Sequence, residues 1–147
     1  MQERQGQMKF YAVIDTNVFV SALLAKREDS PPVTVMEKLF DSTVIPVFSK
    51  AVLKEYCDVL HRAKFGFDPA TVDEFLQDIA QKGILLEPGQ MDIVLPDMND
   101  VPFYAVTLAH GDDETYLVTG NLKHFPVKPF IVTPAQFLEI IRHTPTP

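Results

Sequence analysis

Tryptophan is absent from the 147 residues, cysteine occurs once, glycine six times, and 13 lysines and arginines face 20 aspartates and glutamates. Each scarcity excludes a class of protein. A single Cys57 cannot close an internal disulfide, so the chain is not a small secreted scaffold held together by disulfides. Within an apolar-periodic segment, Cys57 is expected to be a small buried hydrophobe. The glycines stand singly, and no glycine-rich phosphate loop follows the first apolar run, which disfavours a doubly wound nucleotide-binding domain. A net charge of −7 argues against a simple basic nucleic-acid binder, because non-specific affinity for phosphates comes from Lys and Arg. No apolar run approaches the roughly 20 residues that cross a bilayer. The polar start MQERQGQ lacks the apolar core of a signal peptide. The expected setting is cytoplasmic, soluble and away from membranes.

What is present suits one compact domain with a substantial core, since 46% of the residues are hydrophobic and the length is that of a common single domain. Residues 1–8 are expected to be a flexible arm and residues 9–147 a single domain. No internal repeat, low-complexity block or linker interrupts it, and the prolines fall between periodic segments. Phe10 to Ile14 is a continuous apolar run too short for a helix, the pattern of a strand buried on both faces of a parallel sheet. Further strands are expected at Thr43 to Phe48, Ile84 to Leu86, Thr115 to Thr119 and Phe130 to Val132. Pro46 places the second of these near an edge. Helices are expected after Asp15, from Ser30, from Ser49, from Asp68 to Gly83, from Asn99 or Asp100, and from Thr133. In the last, Thr133 and Gln136 have capping-box spacing, with Phe137, Leu138, Ile140 and Ile141 facing inward. Strands alternating with helices imply an α/β fold, a three-layer α/β/α sandwich with a mainly parallel central sheet.

Ligands of open α/β sheets bind outside the carboxyl ends of the strands, near the reversal of strand order. Asp15 follows the first strand, Ser49 and then Glu55 the second, and Thr119, Gly120 and Asn121 the fourth. Asp100 opens the helix that leads into the fourth. Brought together, Asp15, Glu55 and Asp100 form a carboxylate cluster with Asn121 as a neutral oxygen donor. Such acids repel one another unless a cation neutralises them, and oxygen donors select Mg2+ or Mn2+ over zinc. The matching reaction class is phosphodiester hydrolysis. Blander roles compete for each acid. Asp15 and Asp100 have the positions of helix caps, Glu55 has Lys50 and Lys54 as potential partners, and Asp97 is either a loop residue or a supporting acid. Asp112, Asp113 and Glu114 read as a solvated turn, with Asp113 at the rim of a crevice as the alternative. His61, His110, His124 and His143 lie far apart and receive no catalytic role, although His124 is close to the Asn121 turn.

The segment Val13-Ile-Asp-Thr-Asn-Val-Phe-Val-Ser-Ala-Leu-Leu24 resembles the opening strand and helix of PIN-domain proteins. Similar segments follow in the family's order: Ser49 to Glu55, Asn99 to Ala105, and Tyr116-Leu-Val-Thr-Gly-Asn-Leu-Lys-His-Phe125. The resemblance spans about residues 9–141 and is nearest to a bacterial branch described as toxins of toxin–antitoxin systems. It implies a PIN-like fold and a Mg2+- or Mn2+-dependent ribonuclease with Asp15, Glu55 and Asp100 as metal ligands. Asn121 stands where many members carry a fourth acid, which implies a weaker second metal. Thr16 and Asn17 would orient Asp15, and Ser49 and Thr119 would bind a water or phosphate oxygen. Lys50, Lys54 and Lys123 are candidates for phosphate contact, together with Lys26, Arg27 and His124. An RNA substrate, an antitoxin protein and a homodimer complete what the resemblance implies. The alternative is a non-catalytic PIN-like module that binds RNA or a protein. No aromatic stripe for single-stranded RNA separates by sequence from the core-facing aromatics.

Overall fold

Strand β1, Phe10–Ile14, runs through the middle of a sheet ordered β3-β2-β1-β4-β5. The structure, a computed structural model, describes residues 9–111 and 114–144. The expected arm over 1–8 and the acids Asp112 and Asp113 lie outside the described residues. The other strands are β2 (Val44–Phe48), β3 (Ile84–Leu85), β4 (Thr115–Val118) and β5 (Ile131–Val132), and all pairings among them are parallel. The helices are α1 (Thr16–Leu24), α2 (Pro31–Phe40), α3 (Lys50–Leu60), α4 (Pro69–Lys82), α5 (Val101–His110) and α6 (Pro134–His143). Helices cover both faces of the sheet, giving the expected three-layer α/β/α fold. Ala12, Val13 and Ile14 are accordingly sealed from solvent, as a central parallel strand requires.

The chain steps from β1 to β2 to β3 in one direction, then returns across the sheet through α5 to place β4 on the other flank of β1. Strand order therefore reverses between β1 and β4, which opens a crevice at their carboxyl ends. Pro46 is tolerated for a visible reason. It pairs with Ala12 of β1, whereas β3 joins β2 only from Val47 onward. Its missing N–H thus breaks no ladder on the outer side. Gly83 links α4 to β3 with its Cα against the Phe48 ring and the Pro46 carbonyl, where any Cβ would collide.

Several local expectations need correction. Cys57 is exposed. The buried stripe of α3 is Val52, Tyr56, Val59 and Leu60, and Cys57, turned about 100° from Tyr56, falls off that stripe. Ser30 occupies the N-cap of α2, but its side chain caps nothing; Pro32, at the second helical position, has no N–H to offer it. On α6, Phe137 is fully buried while Leu138, Ile140 and Ile141 are only partly so. The Thr133–Gln136 capping box forms as expected.

Candidate metal centre

Asp15 is the first residue beyond β1, and its backbone N–H still bonds the Val118 carbonyl of β4 at 2.9 Å. The pairing of the two central strands therefore extends to the buried carboxylate itself. Although Asp15 is the N-cap residue of α1, its side chain makes no cap bond. Thr119 Oγ1 instead donates to Asp15 Oδ2 at 2.8 Å, and Asn17 Nδ2 donates to the same oxygen at 3.2 Å. Two further bonds close the arrangement. The Gly120 N–H donates to Asn17 Oδ1 at 3.1 Å, and the Asn121 N–H donates to Thr119 Oγ1 at 2.9 Å. A side chain at Gly120 would press on Asn17 Oδ1, 3.2 Å from the Cβ position. Burial pushes the Asp15 carboxyl up to about 6, against the opposing pull of the Thr119 hydrogen bond. The Asp100 charge adds to the rise, and His124 acts against it.

Asp100 ends a 3-10 turn, Met98–Asp100, and also sits at an N-cap without making a cap bond. Its Oδ2 lies 3.0 Å from His124 Nδ1, and burial raises its carboxyl above the usual range. Asp97 holds the start of that turn by accepting the Asn99 N–H at 3.0 Å. Ligand atoms of Asp97, Asp100 and His124 all lie within 4.8 Å of one another. His124, read from the sequence as a candidate phosphate contact without a catalytic role, is thus placed against the acids of the site. It reaches Asp100 because Leu122–His124 forms a 3-10 turn directly after the Asn121 bend.

Glu55 is half-buried on α3. It lines a cleft of about 250 Å³ together with Asp15, Thr16, Asn17, Arg62 and Phe65. Its position is set by two anchors of α3. Ser49 Oγ accepts the Val52 N–H at 3.2 Å, and the Tyr56 hydroxyl donates to the Ile14 carbonyl at 2.6 Å. The second anchor joins the neighbour of Glu55 to the neighbour of Asp15. Tyr56 is fully buried and burial holds its hydroxyl protonated. Thr16 Oγ1 is buried with no hydrogen-bond partner.

The expected lysines are placed unevenly. Lys54 pairs with Asp58 at 2.7 Å rather than with Glu55. The Lys50 backbone N–H donates to Glu87 at 2.8 Å. Lys123 is exposed beside His124, Lys26 is exposed, and Arg27 is tied to Asp29. The Asn121 side chain is exposed, and its backbone rather than its amide makes the contact with Thr119.

The donor chemistry fits a divalent cation. Carboxylates that burial and mutual repulsion push upward are relieved by a positive ion, and such an ion prefers oxygen ligands. One imidazole nitrogen beside them extends the range to first-row metals. The unpartnered Thr16 hydroxyl in the same cleft is a further oxygen without a protein partner.

The profile of the PIN domain matches residues 11–123, a span that includes Asp15, Glu55, Asp100 and Asn121. An uncharacterized protein of Methanocaldococcus jannaschii is 23% identical over 93% of this chain and 95% of its own length. No solved structure matches the chain.

Proposed function

The chain belongs to the PIN-domain family, and we propose that it is an endoribonuclease dependent on Mg2+ or Mn2+. The observation that carries this reading is the buried Asp15 carboxylate, held at the β1–β4 reversal by Thr119 and Asn17 and facing the charge of Asp100. Burying a carboxylate costs stability, and a fold retains one where its charge has a use. Asp15, Glu55 and Asp100 would hold the cation, with Asn121 as a neutral oxygen donor and with Asp97 and His124 against Asp100. When bound, the ion would lower the pKa of an attacking water and offset charge on the departing oxygen.

The remaining steps belong to the protein. Thr119 and Asn17 fix one carboxylate oxygen of Asp15, so that its other oxygen is presented without rotation of the side chain. Tyr56 fixes α3 against the end of β1 and so sets where Glu55 stands relative to Asp15. His124 donates from Nδ1 to Asp100 and holds that carboxylate toward the crevice. As an extension of the same proposal, the similarity of Tyr116 to Phe125 to toxin sequences supports a toxin role, with an antitoxin protein covering the acidic crevice.

The test is cleavage of an unstructured RNA with Mn2+, with EDTA, and by Asp15→Asn. Cleavage that requires the metal and is lost in Asp15→Asn supports the reading. Cleavage by that variant at the same rate overturns it.

A further inference from the structure

Beyond the end of α3 the chain builds a small aromatic turn on the rim of the cleft. Arg62 and Phe65 line the cleft beside Asp15 and Glu55. The 3-10 turn Ala63–Phe65 is closed by the Phe65 N–H to the Arg62 carbonyl and by the Gly66 N–H to the Ala63 carbonyl, each at 3.1 Å. Gly66 sits at φ +69 with open space around it, so the left-handed backbone alone calls for glycine. The reversal brings Phe67 back alongside Phe65, ring centroids 5.6 Å apart and planes 14° from parallel. The two rings differ in what holds them. Phe67 packs against the hydrophobic core, whereas Phe65 does not. Phe65 is thus a half-exposed ring mounted on a core-anchored one.

Two basic side chains, Arg62 and Lys64, precede it in the sequence, in a protein of net charge −7. Arg62 is exposed and forms no ion pair among the described residues. Lys64, also exposed, holds its ammonium 5.1 Å from the centre of the Phe65 ring. A flat aromatic face, two cations and a carboxylate cleft are the parts a single strand requires: a surface for a base, contacts for phosphates, and a place for chemistry.

We propose that Phe65 is the stacking platform for one unpaired base of a single-stranded nucleic acid, with Arg62 on the adjoining phosphate. This deepens the ribonuclease reading and rests on it for the choice of RNA. An incoming base displaces the Lys64 ammonium from the ring and leaves it free to meet the backbone. A duplex cannot use the platform, because its bases are already stacked on one another. With a net charge of −7, the protein has little general attraction for phosphate, so this local contact decides which strands are retained.

The absence of tryptophan supplies the experiment. Phe65→Trp introduces a single indole fluorophore, and binding is followed in EDTA so that no cleavage intervenes. A short single-stranded RNA should quench that fluorescence saturably, and the same RNA annealed to its complement should not. Phe65→Ala should weaken binding about tenfold or more, the scale of one base–aromatic stack. Arg62→Ala should reduce the dependence of log affinity on log salt by about 0.7, one phosphate's share on a single strand. If Phe65→Ala fails to fold, the Phe65→Trp and Arg62→Ala measurements still decide. RNA binding seen by anisotropy without quenching, or unchanged affinity of a folded Phe65→Ala, overturns the platform. Cleavage of RNA without quenching overturns the platform and leaves the ribonuclease reading standing. Quenching by matched single-stranded DNA but not by RNA keeps the platform and overturns the ribonuclease reading.

Discussion

Thr119 Oγ1 donates a 2.8 Å hydrogen bond to Asp15 Oδ2, joining residues 104 positions apart at the ends of adjacent parallel strands. The same hydroxyl oxygen accepts the Asn121 N–H. One buried side chain therefore steadies both the central carboxylate and the bend that follows β4.

Thr119→Val keeps the shape and removes both bonds. A buried carboxylate that loses a donor is expected to destabilise the fold by about 1–3 kcal/mol. Urea unfolding of the two proteins at neutral pH measures the difference. The Asp15 carboxyl should also titrate at higher pH in the variant, because the lost bond favoured the charged form.

The stability of the metal-free protein should depend on Asp15 with a definite sign. Its carboxyl moves from 3.8 to about 6 on folding, so the folded state binds the proton more tightly than the unfolded one. Stability from this group is full below about pH 4 and is lost as pH rises through about 6. Asp15→Asn removes that loss and should stabilise the metal-free protein above pH 7 by up to about 3 kcal/mol. Denaturant titrations in EDTA at acid and alkaline pH give the comparison. Equal pH slopes in the two proteins would count against it.

His124→Ala should lower affinity for Mn2+ by about tenfold or more, the usual cost of removing a group that orients a metal-binding carboxylate. Calorimetric titration measures this directly without reference to RNA. Unchanged affinity would mean that the 3.0 Å contact with Asp100 has no part in holding the ion.

Tyr56→Phe deletes only the hydroxyl that bonds the Ile14 carbonyl. The carbonyl is left buried with one partner fewer, and a cost of about 1–2 kcal/mol is expected. Because that bond ties α3 to the end of β1, metal affinity should fall along with stability. A stability loss with metal affinity intact would show that Glu55 is positioned by other contacts.

The sequence announced the fold through features that act locally. Phe10 to Ile14 is too short and too uniformly apolar to be anything but a central strand, and Thr133 with Gln136 carries its own capping instruction. Asp15 and Thr119 were legible as strand-end residues for the same reason, since their places follow from the strands before them. The pairing of Asp100 with His124 was not. It depends on two 3-10 turns meeting across 24 residues, and no periodicity encodes that meeting. Phe65 was hidden differently: along the chain it looks like any core aromatic, and only the left-handed Gly66 turns Phe67 inward and leaves Phe65 at the rim. Cys57 shows the limit of composition, because apolar character did not place it on the buried stripe of its helix.

The sheet ends on each flank in a strand of two residues, β3 on one side and β5 on the other. Behind β3, Pro46 withdraws an N–H from the stretch of β2 that β3 does not pair with. Among the described residues, neither margin offers a foreign strand a long free backbone edge, and short edge strands of this kind are how natural sheets avoid runaway edge-to-edge growth. The two margins that frame the carboxylate crevice are thereby blunted against strand addition, and the sheet is closed to growth at its sides without being closed into a barrel.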